Sequence, residues 1–98
     1  MPHEYLVNIH IQVPASLPPS ELDELRRRER DTAQHLAATG HLVRLWRVPG
    51  EWANWGLWRA ENETELEALL STLPLRPFMR ITVHPTGPHP SDPLATGQ

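Results

Sequence analysis

The hydrophobic period of this chain alternates between two residues and about 3.6, and the order of the switches leaves few folds open. The odd positions Tyr5, Val7, Ile9, Ile11 and Val13 are apolar, with Asn8, His10 and Gln12 between them, which predicts a strand with one buried face. Pro14, Pro18 and Pro19 break it. Ser20 follows as an N-cap with Asp23 three residues on, and Glu21 and Glu24 suit the positive end of a helix. That helix is expected to run to about Thr39, where Gly40 offers a stop.

His41 to Val48 reads as a second strand, Pro49-Gly50 as a turn, and Trp52 to Arg59 as a third strand closing a hairpin. Asn62 and Glu65 form a capping pair ahead of a helix whose Leu66, Leu69, Leu70 and Leu73 keep helical spacing. Pro74 and Pro77 end it, and Ile81 and Val83 mark a short fourth strand. The resulting order, β-α-β-β-α-β, is the split βαβ of ferredoxin-like folds. The expected class is therefore α+β: a ferredoxin-like sandwich with a four-stranded antiparallel sheet. We expect one domain over residues 1–84 and a Pro-rich tail over 85–98, which carries four Pro and two Gly and is ordered only against a neighbouring subunit.

Helices cover one face of such a sheet, and the other face needs a partner, a ligand or a polar coat. Trp46, Trp52, Trp55 and Trp58 all fall on the central hairpin, with Trp52 and Trp58 on one face by parity and Trp55 on the other. Homo-oligomerisation through the sheet face is the expected way of covering it.

Composition removes whole classes of chemistry. The chain has no Cys and no Lys, so disulfides, thiolate nucleophiles, Schiff bases and the lysine of a phosphate loop are all absent. A net charge of −3 has the wrong sign for a nucleic-acid partner. No stretch approaches the ~20 apolar residues of a membrane span, and no basic n-region precedes an apolar run, so a cytoplasmic location is expected. The six His show no metal-site spacing, and neither metal nor cofactor is expected.

Chemistry is left to carboxylates, Arg, His and Trp. On a helical wheel Leu22, Leu25, Thr32, Ala33 and Leu36 form a stripe with Glu29 near its middle, Arg28 toward a flank and Arg26, Arg27 and Arg30 pointing elsewhere. Desolvation raises the pKa of such a carboxylate and a nearby Arg lowers it, a balance that suits a general base near neutral pH. A structural ion pair with Arg28, Arg44 or Arg47 is the other reading. Arg47 lies in a strand that reads as largely buried, where parity alone leaves two options. It either clamps a carboxylate or enolate oxygen, or it pairs with Glu29 or faces outward. Asn54 is either a donor to a ligand carbonyl or a surface residue. His10 shares a face with Asn8 and Gln12 that is either solvent or a polar cavity.

The segments Arg28-Glu29-Arg30, Gly40, Leu45-Trp46-Arg47-Val48-Pro49-Gly50, Trp52-Ala53-Asn54-Trp55, Leu73-Pro74-Leu75-Arg76-Pro77-Phe78-Met79 and His89-Pro90-Ser91 occur in an order and spacing that resemble the muconolactone Δ-isomerase family, including its chloromuconolactone dehalogenase-like members. The resemblance covers roughly residues 5 to 92. It implies a cofactor-independent lactone isomerase of the 3-oxoadipate pathway of aromatic degradation, assembled as a decamer and acting on a small-molecule lactone. The resemblance makes Glu29 the acid/base catalyst and assigns substrate contacts to Arg47 and Asn54. We add His10 and Trp52 as substrate-binding candidates and expect no metal ligand. His89 matches a segment expected at a subunit contact. Asn8, His10, Arg76 and Arg80 depart from the family pattern and bear on substrate identity. Two alternatives stay open: a dehalogenase or other small-acid enzyme on the same scaffold, and a non-catalytic ligand-binding oligomer.

Overall fold

The computed structural model describes residues 2–95. Its elements are β1 (His3–Ile11), α1 (Pro19–Ala38), β2 (Leu42–Arg47), β3 (Ala53–Ala60), α2 (Glu63–Leu70), a 3₁₀ turn (Arg76–Phe78) and β4 (Met79–Pro85). The strands form one antiparallel sheet in the order β2-β3-β1-β4, so the expected βαββαβ topology is present.

The alternation in β1 buries Tyr5, Val7 and Ile9 under the helices, where they join Leu36, Leu42, Trp58, Ala60, Leu66, Leu70 and Leu73 in one core. Register carries that face across the sheet: Tyr5, Val7 and Ile9 stand opposite Trp58, Gly56 and Asn54 in β3. Gly56 is required there by packing. A Cβ at this position would lie 2.6 Å from Trp58 Nε1, because the indole lies back across the glycine.

Local signals set most element ends. Asn62 Oδ1 accepts from Glu65 N–H at 2.8 Å and starts α2. After α1 the N–H of Gly40 donates to Ala37 O and that of His41 to Leu36 O, a Schellman stop made possible by the positive φ of Gly40. Pro49 and Gly50 (φ 81°) turn β2 into β3, with Glu51 N–H donating to Val48 O at 3.2 Å.

Some expectations are corrected. Pro18, not Ser20, is the N-cap of α1: Pro19 has no N–H to leave unsatisfied and a φ already suited to the first helical position, so the helix begins before the serine. β1 ends at Ile11 rather than Val13, α2 at Leu70 rather than nearer Pro74, and Trp52 precedes β3 instead of opening it. β2 is not largely buried, because it is the sheet's edge strand and only Leu42 in it is covered. The Pro-rich segment beyond β4 is exposed through Leu94 and tied at its start by Thr86 Oγ1 donating to Glu4 O at 2.8 Å. Residues 96–98 of the expected tail, and Met1 of the expected domain, lie outside the described residues.

Candidate active site

A β-bulge decides which residues can meet. Leu42 pairs with Trp58, but the register shifts between Leu42 and Arg44, so the inward parity of β2 passes from even to odd positions. Leu45 and Arg47 then stand opposite Gly56 and Asn54 on the helix-facing side. Arg44 and Trp46 turn to the other face, where the guanidinium lies 4.9 Å from the indole centroid.

Between this edge and α1 lies a cleft of about 1000 Å³. The helix contributes Arg26, Glu29, Arg30 and Gln34, the strands contribute Leu45, Arg47 and Asn54, and the turn contributes Glu51 and Trp52; Leu75 closes the inner end. Four of the sequence candidates, Glu29, Arg47, Asn54 and Trp52, thus line one cavity.

Glu29 is half-buried, and its Oε1 accepts the backbone N–H of Leu75 at 2.9 Å. Burial pushes its carboxyl pKa up from the ordinary 4.5, and the Leu75 N–H pulls part of the way back. Among the described residues it forms no ion pair, so the expected structural partnership with Arg28, Arg44 or Arg47 is not formed. The physical reason is placement: the bulge sends Arg44 to the far face, and Arg28 turns to the exposed side of the helix. Glu29 is left as a desolvated carboxylate held by one backbone donor and facing a cleft, which is what a general base requires.

Asn54 is half-buried, and its Oδ1 is sealed from solvent with no partner among the described residues. Asn8 Nδ2 donates to the backbone carbonyl of Asn54 at 3.2 Å, pinning that stretch of β3 to β1. The Nδ2 of the same amide makes no hydrogen bond among the described residues and is the group that can donate to a ligand in the cleft. Trp52 lies under Arg26, whose guanidinium carbon is 4.5 Å from the ring centroid.

His10 does not join this group. It alternates with the inward Ile9 and Ile11, pairs with Ala53 and Arg80, and lies 3.8 Å from Glu51 Oε1. It lines a smaller cleft of about 540 Å³ with Arg80 and Phe78, which shares only the Glu51, Trp52 and Ile11 wall with the first. Of the departures from the family pattern, Arg76 is engaged by Glu67 at 2.6 Å and Arg80 belongs to the His10 cleft.

Sequence reasoning missed three participants. Arg26 and Arg30, expected to point away, line the cleft, because its wall extends past the core-facing stripe of α1 to the uncovered edge of the sheet. The Leu75 N–H left no signal, since a backbone donor carries none; only its place between Pro74 and Pro77 hinted at a constrained segment. Among the described residues no cluster of three or more His, Asp or Glu could hold a metal ion.

The muconolactone delta-isomerase family model matches residues 3–92. A muconolactone Delta-isomerase of Cupriavidus pinatubonensis is 40% identical over 87 residues, covering 89% of this chain and 95% of that one. Muconolactone Delta-isomerase 1 of Acinetobacter lwoffii is 35% identical over 85 residues, covering 87% and 88%. A crystal structure of muconolactone isomerase superposes with a TM-score of 0.87 at 28% identity, covering 97% of this chain and 99% of that one.

Proposed function

The chain belongs to the muconolactone Delta-isomerase family, and on that premise we propose that it converts muconolactone to 3-oxoadipate enol-lactone with Glu29 as its single acid/base. It is an enzyme of the isomerase class. The observation that carries the mechanism is the half-buried carboxylate of Glu29, held by the Leu75 N–H and without an ion pair among the described residues, in the same cleft as Arg47 and Asn54.

In muconolactone the ring double bond is conjugated to the lactone carbonyl, and the ring carbon bearing the carboxymethyl arm holds an acidic C–H. Glu29 takes that proton, and the electron pair runs through the double bond into the carbonyl, giving a dienolate. Protonation by the same carboxyl at the carbon next to the carbonyl leaves the double bond shifted by one position. Nothing is oxidised or lost overall. Arg47 and Asn54 supply hydrogen-bond donors for the developing oxyanion, where a preorganised donor is worth about 10²–10³ in rate. The raised pKa of Glu29 makes the carboxyl a stronger base once ionised, which narrows the gap to the carbon acid. These steps need no metal or organic cofactor.

The biological setting belongs to the same proposal: the 3-oxoadipate route of aromatic degradation, in the cytoplasm. Among the described residues no helix is long and apolar enough to cross a membrane. We further propose a homo-oligomer, a decamer as the family resemblance implies, that covers the sheet face away from the helices. Trp46 and Trp55 are 42% and 36% exposed there, more than a free surface ordinarily leaves of two such side chains. Pro85 still belongs to β4 and Thr86 is bonded to Glu4, so it is the tail from Gly87 onward that is proposed to pack on a neighbouring copy. Light scattering gives the mass of the assembly.

The functional test is turnover. Purified protein is expected to convert muconolactone to the enol-lactone and to release no chloride from a chlorinated muconolactone faster than buffer does. Rapid chloride release without isomerisation of the unsubstituted lactone would move the assignment to the dehalogenase branch.

A further inference from the structure

The cleft is basic in an acidic protein. The chain carries a net charge of −3, yet Arg26, Arg30 and Arg47 line the cleft against only Glu29 and Glu51. Of the six arginines elsewhere, three find carboxylates, Arg27 with Glu24 and Asp31, Arg59 with Glu4 and Arg76 with Glu67, while Arg28, Arg44 and Arg80 have no ion pair among the described residues. Among the described residues none of the three cleft arginines has a carboxylate within ion-pair distance. The cleft therefore keeps an excess of positive groups where a ligand would enter, which favours an anionic one.

The three are not equivalent. Arg47 stands on the strand wall opposite Asn54, where it can serve the lactone carbonyl. Arg30 directly follows Glu29 on the helix and so points about 100° away from it around the axis. Arg26 precedes Glu29 by three residues, about 60° from it around the axis and about 4.5 Å along it, so the two are neighbours on the helix surface. Arg26 is also the one whose head group is oriented, lying 4.5 Å from the Trp52 ring centroid. A guanidinium stacked on an indole keeps its edge N–H groups free in a fixed plane, the arrangement that receives a carboxylate bidentately.

We propose that Arg26, held by Trp52, is the residue that recognises the substrate's free carboxylate. This rests on the lactone-isomerase reading above and extends it. The carboxylate of such a lactone lies two bonds from the carbon that loses its proton, so its receptor must sit about one helical turn from the base. Arg26 has that spacing. Binding the arm there presents the ring C–H to Glu29 and leaves the carbonyl for Arg47 and Asn54, so the cation sets both affinity for acids and the orientation of the ring.

The test uses a ligand that cannot react, the saturated lactone bearing a carboxymethyl group, alongside its methyl ester. Calorimetry is run on the wild type and on Arg26→Gln, Arg26→Lys and Arg47→Gln, with muconolactone turnover measured in parallel. Wild type is expected to bind the acid about tenfold more tightly than the ester, as suits a charge-assisted pair at a partly solvated site. Arg26→Gln is expected to bind the two equally, and Arg26→Lys to keep a reduced preference, because a point charge replaces a planar fork. A full acid preference in Arg26→Gln, or its loss in Arg47→Gln alone, overturns the proposal while leaving turnover by the wild type intact. A wild type that neither turns over muconolactone nor binds either ligand overturns the isomerase reading itself, and this inference with it.

Discussion

Replacing Glu29 by Gln separates the two things this carboxylate does. Its Oε1 accepts the N–H of Leu75, a residue 1% exposed, and its ionised form is the proposed base. Gln keeps an Oε1 in the same place and loses the basicity. The acceptor survives, so the fold is expected to survive, while loss of the general base lowers kcat by about 10²–10⁴-fold, or roughly 3–5 kcal/mol in the barrier. Glu29→Leu removes the acceptor as well. The Leu75 N–H is then buried without a partner, which costs about 1–3 kcal/mol of stability. Urea unfolding and turnover assays on both variants therefore predict equal loss of activity and unequal loss of stability. If folded Glu29→Gln turns over within tenfold of wild type, the base assignment is wrong. If Gln destabilises as much as Leu, the Leu75 contact is not what holds the side chain.

The remaining expectations concern titration, the oxyanion donors and the core. Because burial holds the Glu29 carboxyl above 4.5, the acid limb of the kcat/KM–pH profile is expected to lie above the ordinary glutamate value. The sign for stability follows from linkage: where the unfolded carboxyl has ionised and the folded one has not, the folded state binds more protons and loses stability as pH rises. Glu29→Gln is therefore expected to match or exceed wild-type stability at neutral pH, with any advantage fading below pH 4.5, as followed by thermal melts at several pH values. Asn54→Ala is expected to lower kcat/KM by about 10²-fold because it removes the Nδ2 donor, without lowering the melting temperature, because the Oδ1 lost with it has no partner among the described residues. Gly56→Ala drives a Cβ to 2.6 Å from Trp58 Nε1 and is expected to cost about 1–3 kcal/mol in denaturant unfolding, with a change in tryptophan fluorescence.

What was legible in the chain was local. The alternation of Tyr5 to Ile11, the Asn62 cap, the Gly40 stop and the Pro49-Gly50 turn each depend on a few neighbouring residues, and together they order the elements into the βαββαβ path. The direction of Glu29 was legible too, because α1 is regular from Pro19 to Ala38 and a wheel holds over that length. Arg47 was not. Its facing depends on the bulge after Leu42, and nothing in Leu42-Val43-Arg44 announces one, so parity counted from the strand's start reverses before the residue is reached. Arg26 was misread for another reason: the wheel separates core from solvent, and a cleft at an uncovered sheet edge is neither. His10 illustrates the converse, since a polar strand face reads the same whether it borders a substrate cavity or a second cleft beside it.

The central claim is that one carboxylate, on one wall of the cleft, both removes and returns the proton. Turnover of muconolactone in D₂O followed by proton NMR tests it most directly. A single base can reach only the ring face turned toward it, so the enol-lactone is expected to carry its new hydrogen, protium or deuterium, on the face from which the original proton left. Equal deuterium on both faces of that carbon in freshly formed product, or no conversion by folded protein, would contradict the account.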